Sequence, residues 1–234
     1  VDWKLHNNVL ELRYPENFLM WDCAGSLSES LRRAMPLLEL SESNPSKVQL
    51  NNPQSGLSVY FQTSSLLVNS GLNPKNEFAS ECDLLTNLIV KKLEIKSLKR
   101  IGNRTRFIKT FSDAASASKA IQQFNINNGF TLERFCNPND SLKKKLPIQF
   151  HIQFEDDAGG ITIQLSATSL KSKIDQQYKS IFPHVSDSTV YFAEVDFDVY
   201  TTGPIDIEAC SPQDIIRSNI RMIETLYLPK FTIH

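Results

Sequence analysis

Over Val9 to Tyr14 apolar and polar residues alternate with the two-residue period of a half-buried strand. After Ser26 the period changes: Leu27, Leu31, Ala34, Met35 and Leu38 fall on one face of a predicted helix. Pro45 and Pro53 bracket a stretch expected to be loop, and from Gly56 to Val68 Leu57, Val59 and Phe61 alternate with Ser58, Tyr60 and Gln62. Glu77 to Ile95 carries the clearest helical pattern, with Phe78, Cys82, Leu85, Ile89 and Leu93 on one face and Lys91 and Lys92 near its carboxyl end, where the helix dipole favours cations. Leu98 to Phe111 reads as a long basic strand, and Ser116 to Phe124 as a short helix buried through Ala117, Ala120, Ile121 and Phe124.

Asn137 to Lys145, with Pro138, Asp140 and three successive lysines, reads as an exposed connection. Ile148, Phe150, Ile152 and Phe154 then alternate with polar neighbours, Glu155 to Gly160 turns the chain, and Ile161, Ile163 and Leu165 alternate again, which predicts a β-hairpin. A strand from Thr189 to Tyr200 precedes a closing helix with Ser211 as N-cap, Pro212 at its first position and Asp214 completing a capping box. Its buried face is expected to hold Ile215, Ile216, Ile220, Ile223 and Leu226. Hairpin-length turns imply antiparallel pairing, so the expected fold is α+β: one domain over residues 1–234, a mainly antiparallel sheet with helices on one face.

Composition narrows the function classes. With 41% hydrophobic residues the chain can fill a sizeable core, and 25 basic against 26 acidic residues create no long-range field to draw nucleic acid or an anionic membrane. Cys23, Cys82, Cys136 and Cys210 are scattered without zinc or redox spacing, which points to reduced thiols and a cytoplasmic location. Val1 to Val9 lacks a secretory pattern, and the apolar runs at Leu84 to Val90 and Ile215 to Leu226 are too short and too polar to span a bilayer. There is no glycine-rich phosphate loop, and none of His6, His151, His184 and His234 sits in the context of a base beside a nucleophile. No cofactor is expected, and no residue is assigned a catalytic role.

Two strands carry opposite charge. Arg100, Arg104 and Arg106 share one face of the first, and Glu194, Asp196 and Asp198 share one face of the second. If these strands are neighbours, the charges pair across the sheet, each pair contributing ~0.2–1 kcal/mol when exposed. An alternative directs the three carboxylates at a divalent metal, with Glu94 and Lys96 at another strand-helix boundary, as in a metal-dependent nuclease or related phosphoryl-transfer enzyme. A third has the arginines and Lys109 contacting phosphates, with Phe107 or Phe111 for stacking, but those aromatics fall on the opposite strand face. Tyr60, Tyr191 and Tyr200 on polar strand faces, and Phe18, Trp3 and Trp21 near the amino terminus, suit a protein interface. A pocket for a small apolar ligand between sheet and helices is a further option for such a fold.

The stretch Arg100-Ile101-Gly102-Asn103-Arg104-Thr105-Arg106-Phe107-Ile108 is similar to the Gly-x-Arg-Tyr-Ile-Asn strand of a sporadically distributed bacterial family of unknown function. Val195-Asp196-Phe197-Asp198-Val199-Tyr200 resembles the same family's Asp-Ile-Asp-Val-Tyr strand, which precedes a terminal helix. The resemblance implies an α+β fold, a bacterial intracellular setting and a place in an accessory system such as antiviral defence or toxin-antitoxin pairs. The resulting expectation is a non-catalytic interaction or adaptor protein, binding another protein or a second copy of itself, with nucleic acid the less favoured partner and no membrane partner. Its candidate binding residues are the six charged ones.

Overall fold

The structure is a computed structural model that describes residues 3–71, 77–127, 150–172, 188–208 and 210–231. Among the described residues nine strands form one sheet in which every neighbouring pair runs antiparallel. They are β1 (Lys4–Arg13), β2 (Glu39–Asn44), β3 (Lys47–Asn51), β4 (Ser58–Gln62), β5 (Ser65–Asn69), β6 (Ser97–Phe111), β7 (Phe150–Asp156), β8 (Gly159–Ser172) and β9 (Ser188–Asp206). The spatial order is β2-β3-β4-β5-β1-β6-β9-β8-β7, which sets the basic strand β6 directly beside the acidic strand β9. Four helices, α1 (Leu19–Ala34), α2 (Phe78–Lys92), α3 (Ala114–Asn127) and α4 (Pro212–Met222), pack on one sheet face, as the α+β expectation requires.

Several element bounds differ from the sequence pattern for identifiable reasons. Helix α1 starts at Leu19 rather than after Ser26, because the hydroxyls of Ser26, Ser28 and Ser30 donate back to carbonyls three or four residues earlier instead of capping a new helix. The stretch between Pro45 and Pro53, expected as loop, contains the β2–β3 hairpin. Pro45 lies in its turn, where Asn44 Oδ1 accepts from Ser46 N at 3.1 Å. Strand β2 is exposed throughout and so has no burial period to read. Gly56 to Val68 resolves into two strands, β4 and β5, turned at Thr63 and Ser64. The hairpin of β7 and β8 is present as expected, whereas Ile148 and the connection Asn137 to Lys145 lie outside the described residues.

Ser211 caps α4, its Oγ accepting from Asp214 N at 3.2 Å. Beyond Met222 a π-helical turn, Ile223–Tyr227, inserts one extra residue per turn and rotates the apolar stripe, so Leu226 is exposed rather than buried.

The helix-facing core is double. One cluster joins Leu10, Leu12, Val59, Phe61, Leu66 and Val68 to α1 and α2; the other joins Phe107, Ile163, Val195 and Phe197 to α3 and the carboxyl-terminal turns. Between them, on the same sheet face, lie the buried polar residues Asn8, Asn103 and Thr105. Asn103 Nδ2 donates to Asn8 Oδ1 and, at 3.1 Å, to the Val9 carbonyl, so this seam is internally satisfied.

Candidate functional site

None of the described helices covers the opposite sheet face, where even-numbered residues of β6 and β9 point. The pairing places Arg106 across from Asp196, Arg104 across from Asp198 and Gly102 across from Tyr200. The six charged residues singled out in the sequence thus lie together. Arg106 pairs straight across with Asp196, whereas Arg104 reaches Asp196 and Arg100 reaches Asp198 along diagonals. Arg104 sends Nε to both oxygens of Asp196 at 2.9 Å and adds a bond from a terminal nitrogen, while Arg106 Nε reaches the same carboxylate at 3.2 Å. The Asp196 side chain is only 8% exposed, against 45% for Arg104 and 31% for Arg106.

Arg100 has a different role. Its guanidinium leans over Gly102, where an added Cβ would stand 3.2–3.4 Å from it, and bridges Glu11 on β1 to Asp198 Oδ2 on β9, the latter at 3.0 Å. The Tyr200 ring stacks on the guanidinium, with Cζ 4.6 Å from the centroid. Burial pushes the Asp198 carboxyl above its ordinary value and Arg100 opposes that rise. Glu194 is also raised by burial, with Arg106 pulling the other way. Arg104 is held above its ordinary value by its bonds to Asp196.

Beside this network lies a hollow of about 640 Å³. Arg104, Arg106 and Asp198 form one wall; His6, Asn7 and Asn69 face them, and Val9 and Leu67 give an apolar floor. It lies where β1 carries a bulge between Leu5 and Asn7. Asn7 Nδ2 donates to Asn69 Oδ1 and to the Gly71 carbonyl, both at 2.7 Å. Burial and the Arg106 charge lower the His6 pKa, favouring the neutral imidazole, whose Nδ1 is buried with no hydrogen-bond partner among the described residues. Glu11, His6, Asn7 and Asn69 were not among the sequence candidates. The alternation in β1 does put Glu11 on the solvent face, but no local signal says that it meets Arg100.

The metal reading meets a specific obstacle: the carboxylates of Asp196 and Asp198 are already occupied by guanidiniums. Among the described residues no group of three or more His, Cys, Asp or Glu side chains is arranged to hold a metal ion. Phe107 is buried on the helix face, away from the arginines. Glu94, the other acid considered for a metal, closes α2 with a positive φ of 52° and lies away from the hollow.

The aromatic residues divide. Trp3 is a core residue, its Nε1 donating to the Phe231 carbonyl at 2.9 Å, and so is no part of an amino-terminal surface cluster. Tyr191 has odd parity on β9 and therefore shares the helix face rather than the face of Tyr60 and Tyr200. Phe18 and Trp21 do form an exposed pair, edge to face at 5.1 Å between centroids and 54% and 56% exposed. Separately, a groove of about 480 Å³ between α1 and α2 is lined by Leu19, Cys23 and Leu88 and rimmed by Asp22, Glu94, Lys91 and Lys92. No helix is long and apolar enough to cross a membrane among the described residues. No known protein-family model matches this chain, and no curated protein matches it.

Proposed function

We propose that this chain is a non-catalytic interaction or adaptor protein that works as a self-associated pair, docked through the outer surface of α1 and α2. The observation that carries the reading is the exposed Phe18–Trp21 pair at the start of α1, with exposed Leu19 next to it in the chain and Leu84 exposed on α2. Fully burying one such side chain is worth ~1.5–3 kcal/mol, so an aromatic pair left in water is a strong incentive to associate. The rim selects the occupant. Two acids and two lysines surround the groove, and a two-fold pairing can set Asp22 and Glu94 of one copy against Lys91 and Lys92 of the other. A second copy satisfies both signs at once.

A pair joined through the helix layer presents two sheet faces outward, the arrangement an adaptor needs to hold two partners. A role in a bacterial accessory system, as the strand resemblance implies, belongs to the same proposal. The competing nuclease reading requires Asp196 and Asp198 to exchange arginines for a cation, which forfeits charge-assisted hydrogen bonds.

Light scattering coupled to size exclusion tests the reading. The wild type is expected at twice the 26.5 kDa chain mass, and Trp21→Glu, with unchanged circular dichroism, at the mass of one chain. A wild type that stays at one chain mass at high micromolar concentration refutes it.

A further inference from the structure

We infer that the hollow on the open sheet face is a binding site for a neutral, hydroxyl-rich ligand, a sugar, held between Asn7 and Asn69 on one side and Arg104 and Asp198 on the other. The hollow lies on the sheet face opposite the helices, so the site is independent of pairing through α1 and α2.

Gly71 orients the first wall. Asn7 is only 5% exposed, and its Nδ2 donates to the Gly71 carbonyl and to Asn69 Oδ1, both at 2.7 Å. Asn69 Oδ1 also accepts from the Gly71 amide at 3.1 Å. A backbone carbonyl and a backbone amide thus fix which end of each side-chain amide is which. Among the described residues Asn7 Oδ1 is left without a donor and Asn69 Nδ2 without an acceptor, and both residues line the hollow. The facing wall repeats the pattern. Arg104 gives Nε and one terminal nitrogen to Asp196, and Asp198 accepts from Arg100 through Oδ2. The other terminal nitrogen of Arg104 and Oδ1 of Asp198 have no hydrogen-bond partner among the described residues. Each wall therefore offers one donor and one acceptor, already held in place by the protein, so little side-chain freedom is lost on binding.

The charges around the hollow cancel. Glu11 is met by Arg100 and, at 2.9 Å, by Arg13; Asp198 is met by Arg100, and Asp196 by Arg104 and Arg106, on which Glu194 also acts. Four guanidiniums thus stand against four carboxylates. His6, whose pKa is lowered by burial and by Arg106, adds no charge at neutral pH, and the exposed Lys4 does not line the hollow. An anion entering would face Asn7 Oδ1 and Asp198, and a cation would face Asn69 Nδ2 and Arg104. A hydroxyl both donates and accepts, so a ring of hydroxyls satisfies both members of each wall.

The floor of Val9 and Leu67 takes the C–H face of such a ring, and about 640 Å³ falls within the ~300–1,000 Å³ of small-molecule sites. No Phe, Tyr or Trp among the described residues lines the hollow, so a flat nucleobase finds no such ring to stack on.

The test is a titration of wild type, Asn69→Asp and Trp21→Glu with glucose, galactose, mannose and N-acetylglucosamine, read by NMR on the side-chain amides of Asn7 and Asn69. Glucuronate and glucosamine serve as charged analogues. Asn69→Asp keeps the oxygen that accepts from Asn7 and Gly71 and removes the free donor. The expected result in wild type is saturable movement of both amide signals with at least one neutral sugar, with a Kd of about 1 mM or below. Binding should be at least about tenfold weaker, ~1.4 kcal/mol, in Asn69→Asp and unchanged in Trp21→Glu, whether or not the latter still pairs. The charged analogues should bind more weakly than glucose, a comparison made in wild type that needs no variant to fold. No saturation with any neutral sugar, tighter binding of either charged analogue than of every neutral sugar, or equal affinity in a folded Asn69→Asp protein overturns the inference.

Discussion

Neutralising Asp196 separates a structural role for the charged strands from a metal-binding one by the sign of a stability change. In wild type the nearly buried carboxylate receives Arg104 through Nε at 2.9 Å and a terminal nitrogen, and Arg106 through Nε at 3.2 Å. Asp196→Asn keeps the shape, removes the charge and turns an amide donor toward two guanidiniums. Breaking a fully buried pair costs ~3–5 kcal/mol. Here the guanidiniums are 45% and 31% exposed and can recover water, which lowers the expected loss to ~2 kcal/mol. For a domain of this size ~1 kcal/mol moves Tm by ~2–4 °C, so a fall of ~4–8 °C is expected. The assay is thermal unfolding by circular dichroism at pH 7 with EDTA present. If Glu194, Asp196 and Asp198 instead formed an unfilled metal site, their mutual repulsion would be relieved by the substitution and Tm would rise in EDTA. An unchanged or higher Tm refutes the argument that the arginines hold this strand pair together.

Three further substitutions and one pH effect follow from local geometry. Ser211→Ala removes the cap that accepts from Asp214 N and should cost ~1 kcal/mol, measured by urea unfolding. Gly71→Ala should destabilise by ~1–3 kcal/mol in the same assay, because φ is +67° and the new Cβ would lie 2.6 Å from the Gly56 carbonyl oxygen. Tyr14→Phe should lose ~1 kcal/mol, since the buried hydroxyl donates to the Gln62 carbonyl at 2.7 Å. Asp113, pulled down to about 2 by the Ser116 amide and hydroxyl and by Ser112, stabilises the start of α3 above its ordinary value of 3.8. Because its folded pKa is depressed, that contribution fades as pH falls from 3.8 toward 2, and amide exchange in α3 should quicken over this window; a side-chain pKa near 3.8 by NMR sinks the idea.

What was legible in the sequence was periodicity with one face buried. The α2 stripe of Phe78, Cys82, Leu85 and Ile89 and the hairpin of β7 and β8 were readable because burial imposes the period. Strand β2 was hidden because all six of its residues are exposed, and the start of α1 because its serines bond within the helix. The buried Asn8, Asn103 and Thr105 break the apolar count where two cores meet, which no local pattern announces. The candidate site was legible by half. Strand parity put three arginines on one face and three acids on another, but adjacency of β6 and β9 is a property of topology. The hollow depends on β1, whose bulge at His6 resets parity and brings Asn7, Val9 and Glu11 to the same face.

The distribution of these charges ties β1, β6 and β9 together on the open face. A sheet that uses ion pairs only to fix register does best with one guanidinium per carboxylate, because every excess charge repels its own kind. Here the ion pairs are shared: Arg104 and Arg106 both meet Asp196, with Glu194 acting on the same two guanidiniums, and Glu11 and Asp198 both meet Arg100. Arg104 turns along the diagonal to Asp196 rather than to Asp198, its cross-strand neighbour. Arg100 takes its place only because Gly102 leaves room beneath the guanidinium and Tyr200 covers it. Three positions, Gly102, Tyr200 and Glu11, therefore cooperate to hold the Arg100 guanidinium between β1 and β9.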